Sequence, residues 1–199
     1  ARYVLEHPKL PIVSYPYEWT FSQLKAAALL HLELQIAALA EGIMFSDATA
    51  YNVQFIGANP IFIDTLSFRQ YKEGEYWGGH QQFCEQFLNP LLLRAFFGNT
   101  HNAWYRGNQE GIPRAEFVRL LKLRHKLSWR ALTQLVLPAS FDRSAQKGNI
   151  SVGSSALESA KFPKAALLSM LERLQSWIKV LVPKDAKQQT VWQNYAGET

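Results

Sequence analysis

A mainly α fold with one small β-hairpin, of the α+β class, is predicted by three features of this 199-residue sequence. Apolar residues recur at helical spacing from Phe21 to Ile43, two β-rich runs flank Gly57-Ala58-Asn59-Pro60, and a second helical stripe runs from Leu167 to Leu181. Hydrophobic residues make up 48% of the chain and aromatic residues 13%, enough apolar material to bury one substantial core. The single cysteine, Cys84, excludes an intrachain disulfide and reads as a packing residue.

Residues 1–19 are rich in Pro and aromatics, which predicts an extended segment. Thr20 followed by Gln23 is a capping-box pattern, so a helix starts there, and Gly42 is its expected stop. Val53-Gln54-Phe55-Ile56 and Ile61-Phe62-Ile63 form the expected hairpin over 53–63, joined by a four-residue turn. A polar stretch from Tyr71 to Gly79 leads into a helix from about His80 to Leu88. Asn89-Pro90 then reads as the N-cap and first turn of another, ending at Gly98. Pro113 opens a further helical region, completing a lobe over 20–137, and the Ser, Gly and Ala-rich residues 138–162 read as a loop. Pro163 starts one more helix over 163–182, and 183–199 read as a linker.

Ala26 to Ala40 is the longest apolar-leaning stretch, but His31, Glu33 and Gln35 interrupt it, and it is too short to span a bilayer. No secretory signal pattern is present, so a cytoplasmic protein is expected. The opening at Ala1 without a methionine suggests a piece of a longer polypeptide. Charge is uneven: residues 1–113 balance at −3 and residues 114–187 at +9. In the basic half, Arg114, Arg119, Lys122, Arg124, Lys126 and Arg130 are dense and Trp129 interleaves, the composition of a nucleic-acid-binding face. No reading motif accompanies them, and solvated helix faces are the plainer explanation.

Asp47, Asn52 and Asp64 are the residues most suggestive of chemistry. A hairpin with a turn at 57–60 pairs Val53 with Asp64, which sets Asn52 beside Asp64 at the open end, with Asp47 at the head of the loop leading in. Two carboxylates and an amide suit Mg²⁺, which takes few protein oxygens and keeps positions for phosphate and water. Asp47 as a turn residue and Asn52 as a strand-initiating cap is the alternative. The histidines His7, His31, His80, His101 and His125 show no metal-ligand spacing.

The stretch from Ser46 to Phe55, followed by Pro60-Ile61-Phe62-Ile63-Asp64, resembles the catalytic loop, hairpin and metal-binding aspartate of the protein-kinase-like superfamily, particularly its aminoglycoside-phosphotransferase branch. More narrowly, Val13 to about Arg94 resembles the kinase-like region preceding the methyltransferase domain in bacterial SAM-dependent methyltransferases related to nodulation proteins. Thr190 to Tyr195 resembles the linker before such a domain. The resemblance implies a C-terminal kinase-like lobe without its N-lobe, with Asp47 catalytic, Asn52 and Asp64 holding Mg²⁺ on ATP, and Tyr15, Tyr17 and Glu18 at the nucleotide hinge.

On that resemblance the chain is a substrate- or nucleotide-binding module of a transferase, and SAM belongs only to the downstream domain. Its expected partners are the missing N-terminal lobe and the downstream methyltransferase domain of the same polypeptide, with a homodimer through the uncovered lobe surface also expected. An active ATP-dependent small-molecule phosphotransferase, once joined to its N-lobe, is the alternative, and nucleic-acid binding ranks third. No glycine-rich SAM or dinucleotide loop is present to support methyl transfer by these residues themselves.

Overall fold

The computed structural model describes residues 6–122 and 162–184. The chain is of the α+β class, mainly helical, with two small antiparallel sheets. From residue 6 to the first helix the chain forms no strand and one 3-10 turn, Pro16–Glu18, flanked by Tyr15 and Trp19 in extended backbone.

Helix α1, Phe21–Ala40, starts at the predicted capping box: Gln23 N donates to Thr20 Oγ1 at 3.2 Å and Thr20 N donates to Gln23 Oε1 at 2.9 Å. It ends before Gly42, whose φ of +74° is the left-handed conformation that glycine adopts without steric cost. Its buried residues, Leu24, Ala27, Ala28, His31, Leu32, Gln35 and Leu39, meet helices and strands alike, so α1 is the spine of the core.

Strand β1 covers Ile43–Phe45, and β2, Val53–Ile56, pairs with β3, Asn59–Phe62. The register differs from the sequence expectation by two residues: Ile56 pairs with Asn59 and Val53 with Phe62. The turn is the two-residue Gly57-Ala58, and Gly57 at φ +61° supplies the first central position of a II′-type turn, whose twist matches the strands. A slip of two preserves which side chains share a face. Strand β4, Phe68–Gln70, pairs with β1 through Phe45↔Phe68, and together they form a second sheet that the sequence did not announce.

Helix α2, His80–Phe83, continues through a π-helical turn at Cys84–Leu88 into α3, Asn89–Phe97. Asn89 is therefore not an N-cap: it lies inside a continuous helix, and its side chain donates to Ile112 O at 2.8 Å. The wide turn explains how Pro90 is tolerated. Proline has no N–H to bond the carbonyl four residues back, and its ring presses on that carbonyl. The π turn moves the pairing one residue further, with Asn89 N donating to Cys84 O. Gly98, at φ +80°, ends α3 as predicted.

Two short helices follow, α4 at Asn102–Gly107 and α5 at Arg114–Leu120, the latter starting after Pro113 as expected. The last helix, α6, spans Lys164–Val180 and begins after Pro163. Of the expected stripe it buries Leu167, Leu171, Leu174 and Ile178, with Leu181 buried just past its end and Leu168 only half-buried; Trp177 joins them, and the helix packs extensively on α1.

The two long helices run antiparallel, and each lends a lysine to the other's C-terminal end. Lys25 Nζ donates to Lys179 O and Leu181 O at 2.8 and 2.9 Å, and Lys164 Nζ donates to Ala40 O at 3.1 Å. Cations there satisfy orphan carbonyls and complement the helix dipole. Phe162 joins Gly74 in an isolated β-bridge and meets the Tyr76 ring edge-on. The expected loop at 138–162 except for Phe162, the end of the 20–137 lobe, and the 183–199 linker from 185 onward lie outside the described residues.

Candidate functional site

The loop from Ser46 to Asn52 and the segment from Ile63 to Ser67 meet where the two small sheets come together. Strands β1 and β4 close the base of this excursion, extended by a bond from Ser46 N to Ser67 O at 2.8 Å, and the β2–β3 hairpin projects from it. Asp47 lies just past β1 and Asp64 just past β3, so the two sheets bring the carboxylates together across a long stretch of chain.

Asn52 joins them. Its Nδ2 donates to Asp47 Oδ1 at 3.0 Å and to Asp64 Oδ2 at 3.2 Å. The ladder continues past the named strands, with Ile63 N donating to Asn52 O at 2.9 Å, which places Asn52 next to Asp64 despite the different register. Asp64 is further fixed as the cap of a 3-10 turn, Thr65–Ser67: its Oδ1 accepts from Leu66 N at 3.0 Å and its carbonyl accepts from Ser67 Oγ at 3.0 Å. Partial burial pushes the Asp47 carboxyl above its ordinary range, the nearby Asp64 charge adds to this, and the Asn52 hydrogen bond opposes it.

Beneath the loop, helix α2 approaches so closely that Gly79 has no room for a side chain. A Cβ there would lie 2.8 Å from Trp77 Nε1, 2.9 Å from Ala48 Cβ and 3.1 Å from Asp47 C. Gln82 Oε1 accepts from Ala48 N at 2.8 Å. Gln86 Oε1 accepts from Thr49 Oγ1 at 2.9 Å and Ala50 N at 2.8 Å. From the other side α1 supplies Gln35, whose Oε1 accepts from Phe45 N at 3.0 Å, and His31, whose ring lies edge-on to Phe45 at 5.1 Å. His31 is wholly enclosed by Phe45, Phe62, Trp77, Phe83 and Phe87, and burial drives its pKa down to about 3, so it stays neutral.

The sequence pointed to none of these supporting side chains. Glutamines on a helix read as surface residues, and only the pairing of Gln82 with Gln86 four residues on, beside aromatic neighbours, hinted at a buried polar face.

Tyr15, Tyr17 and Glu18 lie at the 3-10 turn before α1 and contact one another, Arg106 and Asn102. Tyr15 and Tyr17 stack on each other at 5.4 Å, Arg106 sits over the Tyr17 ring at 5.4 Å, and Glu18 Oε2 accepts from Tyr15 N at 2.9 Å. Much of the segment's backbone is paired internally. Ser14 N and O bond the Gln54 amide, both at 2.9 Å, Tyr15 O accepts from Glu18 N, and Tyr17 O accepts from Asn102 Nδ2.

Among the basic residues, Arg114 is buried and therefore does not belong to a solvent-facing patch. Arg124, Lys126, Trp129 and Arg130 lie outside the described residues. Cys84 is buried as expected, and burial pushes its thiol up to about 12. No described helix is long and apolar enough to cross a membrane.

The site thus defines a mainly helical lobe bearing a carboxylate–amide–carboxylate cluster at the junction of two short sheets. The chain is 51% identical over 195 residues to a protein named "Nodulation protein NoeA" from Rhizobium meliloti (strain 1021). The alignment covers 98% of this chain and 40% of that protein, so the chain spans about two-fifths of the curated relative's length. No family model matches the sequence, and no solved structure matches it.

Among the described residues no three His, Cys, Asp or Glu side chains converge as a metal site. A cation at the cluster would take oxygens from Asp64 and, after rotation of its amide, Asn52, with the Asp47 carboxylate beside them. That is a sparse, hard-oxygen donor set, of the kind Mg²⁺ completes with phosphate and water.

Proposed function

We propose that this chain is a kinase-like, nucleotide- or substrate-binding module of a larger bacterial methyltransferase-related protein, with methyl transfer and SAM belonging to a neighbouring domain. The carrying observation is the convergence of Asp47, Asn52 and Asp64. Asn52 and Asp64 are the residues to hold Mg²⁺ against phosphate oxygens, with Asp47 facing the same space. Mg²⁺ there supplies charge neutralisation for the phosphates.

The surroundings support a surface that meets another lobe. Ile12, Val13, Ile56, Ile63 and Leu66 are all exposed. Ser14, bonded to Gln54, carries Ile12 and Val13 to the hairpin, and Ile63 and Leu66 flank Asp64. The greater length of the nodulation relative is in keeping with a module that works beside others.

Phosphotransfer is the second reading, and the placement of Asp47 beside Asp64, with its carboxylate fixed by Asn52, favours it. A carboxylate held in this way is suited to accept the proton of an acceptor hydroxyl. Phosphotransfer and nucleotide binding both require the cluster to hold Mg-nucleotide, whereas binding of a substrate alone does not. The test is thermal stabilisation of the whole protein by Mg-ATP. Stabilisation that Asp64→Asn abolishes supports the site, and no shift at millimolar nucleotide contradicts it.

A further inference from the structure

We propose that Gln86 is a positioning residue for the Asp47–Asn52 loop, acting as a single buried amide that sets the spacing of the two carboxylates. Its side chain is 1% exposed. Its oxygen accepts from Thr49 Oγ1 at 2.9 Å, Ala50 N at 2.8 Å and Tyr105 Oη at 3.4 Å, and its nitrogen donates to Glu110 Oε2 at 3.2 Å. One side chain therefore holds consecutive residues between Asp47 and Asn52.

The chemistry calls for an amide. The loop presents two donors, Thr49 Oγ1 and Ala50 N, so an acceptor oxygen must face it. Glu110 presents an acceptor on the opposite side, so a donor must face that. Glutamine carries both on one planar group. Leucine at 86 would leave the Ala50 N–H buried without its partner, and an unmade buried bond costs more than a made one gains.

The hold passes to the carboxylates through the 3-10 turn Ala50–Asn52, which begins at the residue Gln86 fixes and ends at the residue that bonds Asp47 and Asp64. Thr49 is also the cap of that turn, through a bond from Tyr51 N. Gln82, one helical turn earlier, holds Ala48 but has no partner equivalent to Glu110 among the described residues. Gln86 thus links the loop to the connection between α4 and α5 as well as to its own helix.

The experiment uses the full chain, isotope-labelled, with the Asn52 side-chain amide proton signals as readout and Mn²⁺ titration as a second measurement. The variants are Gln86→Leu, the swap Gln86→Glu with Glu110→Gln, Thr49→Val, and Leu174→Ala as a destabilised control in α6. The expected result is that Gln86→Leu moves the Asn52 amide signals toward those of an unrestrained side chain. The swap restores them, because it keeps an acceptor toward the loop and a bond to position 110. Thr49→Val produces a smaller displacement and keeps the proposal testable if Gln86→Leu does not fold. Leu174→Ala leaves the signals in place.

Unchanged Asn52 signals in Gln86→Leu, or in Thr49→Val if the former does not fold, overturn the proposal, as does an equal displacement in Leu174→Ala. Mn²⁺ affinity in Gln86→Leu should fall about 10- to 100-fold, as for other groups that orient metal ligands. That arm rests on the metal-site reading, and the amide arm does not. Wild-type protein that fails to bind Mn²⁺ overturns the metal reading, while the Asn52 signals still decide the role of Gln86.

Discussion

Asn52 and Asp47 are joined by a 3.0 Å hydrogen bond from the amide of one to the carboxylate of the other across a single tight loop. Because the Asp64 charge raises the Asp47 pKa while Asn52 lowers it, their removal should act in opposite directions. Asp64→Asn lowers the Asp47 pKa and Asn52→Ala raises it, as read from the Asp47 carboxyl carbon signal during a pH titration. The shift also has a stability consequence. A carboxyl raised on folding costs stability when ionised, so Asp47→Asn should raise the melting temperature at neutral pH. That gain should disappear as pH falls through the folded pKa of Asp47.

His31 gives the protein a sensitivity to acid. Its folded pKa is about 3, while the unfolded chain protonates it near 6.5. The unfolded state therefore binds more protons below pH 6.5, and stability, complete above that value, falls progressively toward pH 3. The loss between neutral pH and about pH 5 is on the order of 2 kcal/mol from this group. His101, lowered to about 4 mainly by burial, acts in the same direction. Urea unfolding at both pH values should show that His31→Leu loses less stability on acidification than wild type.

The crossed lysines between α1 and α6 predict a coupled effect. Lys25→Met and Lys164→Met each remove a cation from the other helix's last turn and should cost about 0.5–1 kcal/mol, with the Lys25 change costing more because it loses two carbonyl contacts. Thermal unfolding at low and high salt measures this, and the difference from wild type should shrink as salt rises.

Two glycines with positive φ should respond differently to alanine. Gly57, in the hairpin turn, has open space around its Cβ direction, so Gly57→Ala costs about 1–2 kcal/mol in backbone strain alone. Gly111 at φ +87° would drive a Cβ into the Glu85 carbonyl. Gly111→Ala should therefore be the more damaging, and chemical denaturation of the two variants side by side ranks them.

What could be read in the sequence follows from how local each signal is. Thr20 with Gln23, Gly42, Pro113 and Pro163 are short-range cues whose partners lie within a turn, and the helices start and stop at them. The hairpin register depended on whether Gly57-Ala58 or four residues make the turn, and composition does not separate these. The Asp47–Asn52–Asp64 cluster survived that difference because the ladder continues beyond β2, carrying Asn52 to Asp64 either way. Strands β1 and β4 were illegible because three residues each are too few for an alternating pattern, and their pairing is long-range. Asn89-Pro90 looked like a helix start because a π turn, which makes an internal proline tolerable, leaves no local signature. Buried polar residues such as His31, Gln35 and Gln86 have partners distant in sequence, so only the packed structure shows what they hold.

The most direct test of the central claim is paramagnetic broadening by Mn²⁺ in the isotope-labelled chain, comparing wild type with Asp64→Asn. A metal-competent cluster predicts saturable broadening centred on the Asp47, Asn52 and Asp64 signals and its loss in the variant. Broadening spread evenly over surface carboxylates such as Glu33 and Glu41, with those three signals unaffected, would contradict it.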